Sequence, residues 1–134
     1  HGLGLAQGAL DQALRHVKGR KQFGRPLAAF QATQFKIAEM ATKIETARNM
    51  VYKAAWLLDN GMSDTKLTAM AKLYACHVAV EVVDEAMQLH GGYGFMQEYA
   101  VAEMWTDARV QRIYGGTNEI MKELISRGFS GGQR

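Results

Sequence analysis

Apolar residues recur at three- and four-residue spacing through most of the chain and strict alternation is scarce, so the pattern predicts helix almost throughout and an all-α fold. Leu3, Ala6, Leu10, Leu14 and Val17 form a stripe that predicts a first helix over about 3–21. A turn around Phe23, Gly24 and Pro26 ends it, because the proline disfavours helical geometry at Arg25. A second, long helix begins near Phe30 and carries Ile37, Met40, Ile44, Ala47, Val51, Ala54 and Leu58 on one stripe before Asn60 and Gly61. Ser63 or Asp64 can accept a hydrogen bond from a first-turn amide and cap a third helix. Its stripe is Leu67, Ala71, Ala75, Val78, Val82, Ala86 and Leu89, and the pair Gly91-Gly92 stops it. After the loop GGYGF come a helix over about 101–112 and a short one over about 117–127, ended by Gly128. Three long amphipathic helices and two shorter ones with brief connections predict an antiparallel four-helix bundle with an additional short C-terminal helix. The tail SGGQR is expected to lack fixed structure.

At 134 residues the chain fits one domain, with 48% apolar and 22% charged residues and a single proline. Its opening residues already lie in helical register with no capping residue before them, so residue 1 is expected to fall inside a longer protein. No apolar run approaches the roughly 20 residues that span a bilayer, and the start HGLGLAQGAL lacks the basic and apolar segments of a secretory signal. Cys76 stands alone, which excludes a disulfide within the chain and makes a reducing compartment the expectation. It reads as a small buried residue. Trp56 and Trp105 have apolar neighbours and are expected in core or interface packing. The formal charge is only +3, and acids interleave the bases everywhere except around Lys18, Arg20, Lys21 and Arg25.

That basic cluster has two physical readings. A guanidinium at Arg20 offers a planar fork of donors that suits a pyrophosphate, while a Lys/Arg run at a helix end also offsets the negative end of the helix dipole. HGGYGF at 90–95 is equally double-sided, because glycines let backbone approach a ligand or simply end a helix. Thr117 precedes a short helix, where free amides favour an anionic or hydrogen-bonding ligand or are satisfied by the cap itself. His90 reads as a packed or bridging histidine. The four histidines, at positions 1, 16, 77 and 90, lack the spacing with acids or Cys that a metal site needs.

Four segments taken together resemble the C-terminal domain of the acyl-CoA dehydrogenase family: GLGLAQGALDQA from Gly2, GRKQFGRPLAAFQ from Gly19, QLHGGYGF from Gln88 and DARVQRIYGGTNEIM from Asp107. The resemblance spans nearly the whole chain and implies that residues 1–134 are the helical C-terminal domain of an FAD enzyme, without its N-terminal helical and middle β domains. It assigns FAD contacts to Arg20, Gln22, Phe23, Gln31, Gln88, Gly91, Gly92, Thr117 and Glu119. Those of Arg20, the residues through Phe23 and Gln31 fall mainly on the flavin of a neighbouring subunit. Glu119 is the weakest member, since an ionised carboxylate repels phosphate. Tyr114, Gly115 and Gly116 are implied to line the acyl-CoA site. The resemblance further implies identical subunits as a dimer or tetramer, an electron-transfer flavoprotein as acceptor, and a cytoplasmic location in a bacterium or the mitochondrial matrix in a eukaryote.

One position departs from the common family pattern. Many members carry a glutamate where Gly115 stands, and glycine cannot abstract a proton, so this chain contains no catalytic base. The long-chain and isovaleryl branches also have glycine there and place their glutamate on the helix leading into the segment matching 1–20. Aligned by GLGLAQ, that acid would lie about two helical turns before His1. A non-catalytic subunit of the same family and a helical oligomerisation scaffold are the alternatives. A nucleic-acid-binding module is disfavoured, because acids are spread over all the remaining helices.

Overall fold

The computed structural model describes residues 1–129 and is built from six helices and one two-residue hairpin ladder. In chain order these are α1 (Gly2–Gly19), β1 (Lys21–Gln22), β2 (Arg25–Pro26), α2 (Gln31–Asp59), α3 (Thr65–His90), α4 (Gly92–Phe95), α5 (Ala100–Val110) and α6 (Asn118–Arg127), with a 3₁₀ turn at Leu27–Ala29. The expected all-α bundle is present, with α1, α2, α3 and α5 as its members and α6 as the short C-terminal addition. The tail SGGQR lies outside the described residues.

Small side chains set the geometry. α1 and α3 run parallel, Gly2 lying beside Ala75 at one end and His16 stacking on His90 at the other. They form the most extensive helix pair in the molecule. Fully buried Ala6, Ala9 and Ala13 on α1 and Ala79 and Ala86 on α3 let the two backbones come close. The bundle is thus compressed along its α1–α3 diagonal. α2 packs antiparallel on one flank, tied by Lys36 to Glu85, by Lys43 to Glu81 at 2.8 Å and by Arg48 to Gln7 at 2.7 Å. α5 packs antiparallel on the other, where the Trp105 indole donates to Asp84 at 3.0 Å. Ile44, Val17, Val78, Val82, Val83 and Val101 fill the centre.

Three local expectations need correction, and one choice left open by the sequence is settled. The first helix stops at Gly19, because Lys21 and Gln22 pair with Pro26 and Arg25 across a turn in which Phe23 and Gly24 have φ of 51° and 78°. Two consecutive positive φ values make a type I′ hairpin turn, which the proline at the strand end tolerates. GGYGF is not wholly a loop, since Gly92–Phe95 forms one helical turn. There a Cβ on Gly94 would lie 2.5 Å from the Met87 carbonyl, so that glycine serves close packing. Asp64 rather than Ser63 caps α3, accepting from the Leu67 amide at 2.8 Å. Finally, the distal half of α2 leaves the core: only Met40, Ile44 and Ala47 are buried, while Leu58 is 70% exposed and Trp56 58%. Trp56 is therefore not a core residue of this chain.

Candidate functional site

The sequence-selected residues gather at the two ends of α3. At its C-terminal end, Arg20, Gln22, Gln88, Gly91 and Gly92 line one cavity of about 360 Å³, together with His16, Leu27, Leu89, His90 and Tyr93. Arg20 is delivered by the end of α1: its amide bonds the His16 carbonyl at 2.8 Å and its carbonyl accepts from Leu27 at 2.9 Å. Its guanidinium lies over the Tyr93 ring at 5.6 Å, a cation–π contact within the cavity that the glycine pair also lines. Gly91 has φ 61° and ψ −142°, a backbone state close to one that only glycine populates. A Cβ built at Gly91 or Gly92 would meet nothing within 4 Å, so bare backbone faces open space beside the guanidinium. A cation next to exposed backbone is a surface that suits phosphate oxygens.

His90 is buried and its Nδ1 is 2.7 Å from the Ala86 carbonyl, while its ring stacks on His16 with centroids 4.2 Å apart. The expectation of a packed histidine agrees with that placement. Burial, followed by the nearness of His90 and Arg20, holds the His16 pKa below its ordinary 6.5. Sequence periodicity missed His16 and Tyr93 here, for His16 looks like any polar residue on the edge of a helical stripe.

Phe23 and Gln31 lie apart from this cavity. Phe23 projects from the hairpin tip, 92% exposed, and its ring meets Phe30 edge-on at 6.4 Å. Gln31 opens α2 next to Phe30 and is exposed. A bulky residue held in left-handed backbone yet facing solvent costs roughly 1–2 kcal/mol in local strain.

Tyr114, Gly115, Gly116 and Thr117 sit at the opposite end, on the loop from α5 to α6, and Glu119 lies in the first turn of α6. Gly115 and Gly116 have φ of 64° and 91°. Gly115 borders two adjoining apolar cavities of about 510 and 370 Å³, which share Ala54, Thr68 and Lys72 between α2 and α3. Tyr114 lines the second, beside His1, Gly2 and Leu3. The Thr117 hydroxyl accepts from the Ile120 amide at 3.2 Å and so caps α6, while its own hydrogen is directed to the Glu119 carboxylate. The Glu119 carboxyl is pushed below its usual range by its own backbone N–H first, then by the Thr117 hydroxyl, Lys122 and Arg112. That pinned negative charge suits a helix start better than it suits a phosphate. Gln111 Nε2 and Asn118 Nδ2 are buried donors with no acceptor among the described residues. Neither is marked individually by the sequence, although both stand inside the segment DARVQRIYGGTNEIM.

Cys76 is buried mid-helix, its Sγ 3.3 Å from the Gln111 carbonyl, and burial pushes its thiol pKa up. It has the character of an inert packing residue. Among the described residues no group of three His, Cys, Asp or Glu side chains could hold a metal, and no helix is long and apolar enough to cross a membrane.

Comparison with known proteins gives a consistent assignment. Residues 1–130 match the family model for the C-terminal domain of acyl-CoA dehydrogenases. The chain is 50% identical over 124 residues to the caffeyl-CoA reductase–Etf complex subunit CarC of Acetobacterium woodii, covering 92% of this chain and 33% of that protein. It is 47% identical over 130 residues to an acyl-CoA dehydrogenase of Bacillus subtilis, covering 97% and 34%. Butyryl-CoA dehydrogenase from Megasphaera elsdenii superimposes with a TM-score of 0.94 at 44% identity, over 96% of this chain and 33% of that one. The chain thus spans about a third of the length of these relatives, and it belongs to the acyl-CoA dehydrogenase family as a C-terminal domain.

Proposed function

We propose that this domain works as the C-terminal part of an FAD-dependent acyl-CoA dehydrogenase, an oxidoreductase that introduces a double bond between the α and β carbons of an acyl-CoA thioester. The observation that carries the reading is the convergence of Arg20, Gln22, Gln88, Gly91 and Gly92 on one cavity, from two distant segments of chain that no local pattern links. The residues present fit the cofactor: Arg20 would hold the pyrophosphate, and bare backbone at Gly91 and Gly92 leaves room for phosphate or ribityl groups. FAD, when bound, supplies the acceptor for the β-hydride. At the other end, Tyr114 and Gly115 border an apolar groove suited to an acyl thioester, with Gly116 next in the chain, and Thr117 at the start of α6 is the proposed flavin contact.

The two ends cannot serve one pyrophosphate. Lys72, beside the Gly115 loop, and Gly91 are nineteen residues apart on or just past α3, roughly 28 Å at about 1.5 Å per helical residue. That separation supports a site shared between subunits, in which the Arg20 end and exposed Phe23 and Gln31 address a partner's flavin. The exposed Tyr52, Trp56 and Leu58 supply an apolar surface for the identical subunits of a dimer or tetramer. An electron-transfer flavoprotein is the proposed electron acceptor, in keeping with the Etf complex named for the Acetobacterium relative. Bacterial relatives favour a cytoplasmic location.

Gly115 bears no side chain, so the proton abstraction is assigned to an acid about two helical turns upstream of His1. The same glycine favours the alternative of a non-catalytic subunit. Anaerobic addition of acyl-CoA thioesters of graded chain length to the intact flavin-loaded protein decides between them. Bleaching of the flavin is expected, and replacing the upstream acid by glutamine should slow it by about 10²- to 10⁴-fold. An intact protein that binds FAD but bleaches with none of the thioesters would favour the non-catalytic subunit.

A further inference from the structure

Lys72 is the only Lys, Arg, Asp or Glu between Lys66 and Glu81, set in an otherwise uncharged stretch of α3. Among the described residues it has no carboxylate partner. Its ammonium instead reaches across 39 to 46 residues of sequence to three oxygens of one loop: the Gln111 carbonyl at 3.0 Å, the Gly116 carbonyl at 2.6 Å and Asn118 Oδ1 at 3.4 Å. An ammonium has three hydrogens, and each has an acceptor here. The three oxygens come from the end of α5, the middle of the loop and the start of α6.

We infer that Lys72 is a positioning residue, which fixes the Tyr114–Gly115–Gly116 segment against the groove in which the proposed function seats the acyl thioester. The inference rests on that reading for its substrate and on the geometry for the clamp. Two glycines with positive φ give the loop a large conformational freedom to lose. Apart from Lys72, the hydrogen bonds that close it among the described residues are the Cys76 thiol on the Gln111 carbonyl at 3.3 Å, the Asn118 amide on the Arg112 carbonyl at 3.1 Å and the Ile113 and Tyr114 amides on the Val110 carbonyl. Those bonds hold the two ends. Gly116 in the middle is held through its carbonyl by Lys72. The same contact orients the Asn118 amide with its oxygen toward the ammonium, which turns Nδ2 away and leaves it without an acceptor. Lys72 also lines both cavities that meet at Gly115, so clamp and groove share a wall.

The test uses the intact flavin-loaded protein and two variants. Lys72→Met keeps the length and the apolar stem but removes all three donors. Lys72→Arg keeps the charge and folds more readily, yet its flat fork cannot meet three oxygens that surround a tetrahedral nitrogen. Hydrogen exchange of the peptide spanning 112–117 is read by mass spectrometry, together with flavin content and the KM and kcat for the thioester that the wild-type protein turns over fastest. Lys72→Met should speed exchange in this segment about tenfold to a hundredfold, the loss expected for charge-assisted bonds to buried carbonyls. KM should rise at least about tenfold with flavin per subunit unchanged, and Lys72→Arg should fall between. A general loss of fold would lower flavin content with activity, so retained flavin separates positioning from structure. Wild-type exchange in either folded variant overturns the clamp, and faster exchange with unchanged KM overturns its role in seating substrate. If the wild-type protein turns over no thioester, the functional reading has failed, and the exchange data alone still decide the clamp.

Discussion

The two ends of α3 are built on opposite principles. At the His90 end, the geometry is imposed by the packing of two helices: α1 delivers Arg20, α3 runs into Gly91, and two stacked imidazoles and Tyr93 lie between them. At the Lys72 end, the geometry is imposed from a distance by one ammonium that holds a glycine loop 39 to 46 residues away. The first is a rigid surface that presents donors and bare backbone. The second is a flexible segment held over a groove. A phosphate needs fixed donors, whereas a substrate that must enter and leave needs a wall able to move, so the contrast matches the work proposed for each end.

The glycines at the two ends test that contrast with the largest expected effect. Gly91→Ala forces a Cβ onto a φ of 61° and ψ of −142°, which only glycine tolerates, and should cost about 1–3 kcal/mol by chemical denaturation of the intact protein. Because the strain falls in the Arg20 cavity, flavin content should drop with it. Gly115→Ala, with φ 64° and open space around it, should cost nearer 1 kcal/mol and leave flavin content alone. Equal losses in both measurements from the two substitutions would erase the distinction between the ends.

The same distinction governs what the sequence disclosed. Helices were legible because each buries a stripe, and the α3 stripe is seen nearly intact in Ala71, Ala75, Val78, Val82 and Ala86. α2 shows the limit of that signal. Its periodicity continues to Leu58, but a stripe says only that a face is apolar, not what covers it, and beyond Ala47 the rest of the chain does not bury it. The end of α1 differs for another reason: the turn at Phe23 and Gly24 is legible, but helical periodicity does not disclose the pairing of Lys21 with Pro26 that draws Lys21 out of the helix. The candidate site was legible through its family motifs. Lys72 and His16 carry no motif, and Gln111 is unmarked within one, so their roles come from contacts that close only in three dimensions. A lone lysine within an uncharged helical stretch was the one available hint.

Helix capping differs between the ends as well, with a smaller consequence. α6 starts at the loop with a side-chain cap from Thr117, whereas the single turn of α4 at the other end has none. Thr117→Ala should therefore cost about 1 kcal/mol, and Thr117→Ser should recover most of it. Thermal unfolding of the intact protein measures both. Identical melting of the alanine and serine variants would mean that the cap contributes nothing.

The smallest expected effect is a pH dependence that separates the ends by their histidines. Burial, then His90 and Arg20, holds His16 neutral below its ordinary 6.5, and burial, then Arg112 and Lys122 against an opposing Glu81, does the same for His77. His77 also has a buried Nε2 with no partner among the described residues, so its charged form gains no hydrogen bond there from them. In each case the unfolded chain takes up a proton near pH 6.5 while the folded one still refuses it. Stability is therefore full above 6.5 and declines as pH falls toward the lower folded values. Both rings keep some solvent contact, which keeps the decline modest. Flavin breaks the symmetry. A pyrophosphate in the Arg20 cavity would place negative charge beside His16 and draw its pKa back up, while His77 faces no such anion. In flavin-free protein, His16→Gln and His77→Gln should each flatten the loss of stability between pH 7 and 5. After flavin loading, only His77→Gln should still do so. If His16→Gln flattens the curve equally with and without flavin, the cofactor's phosphates do not lie in the cavity that His16 lines.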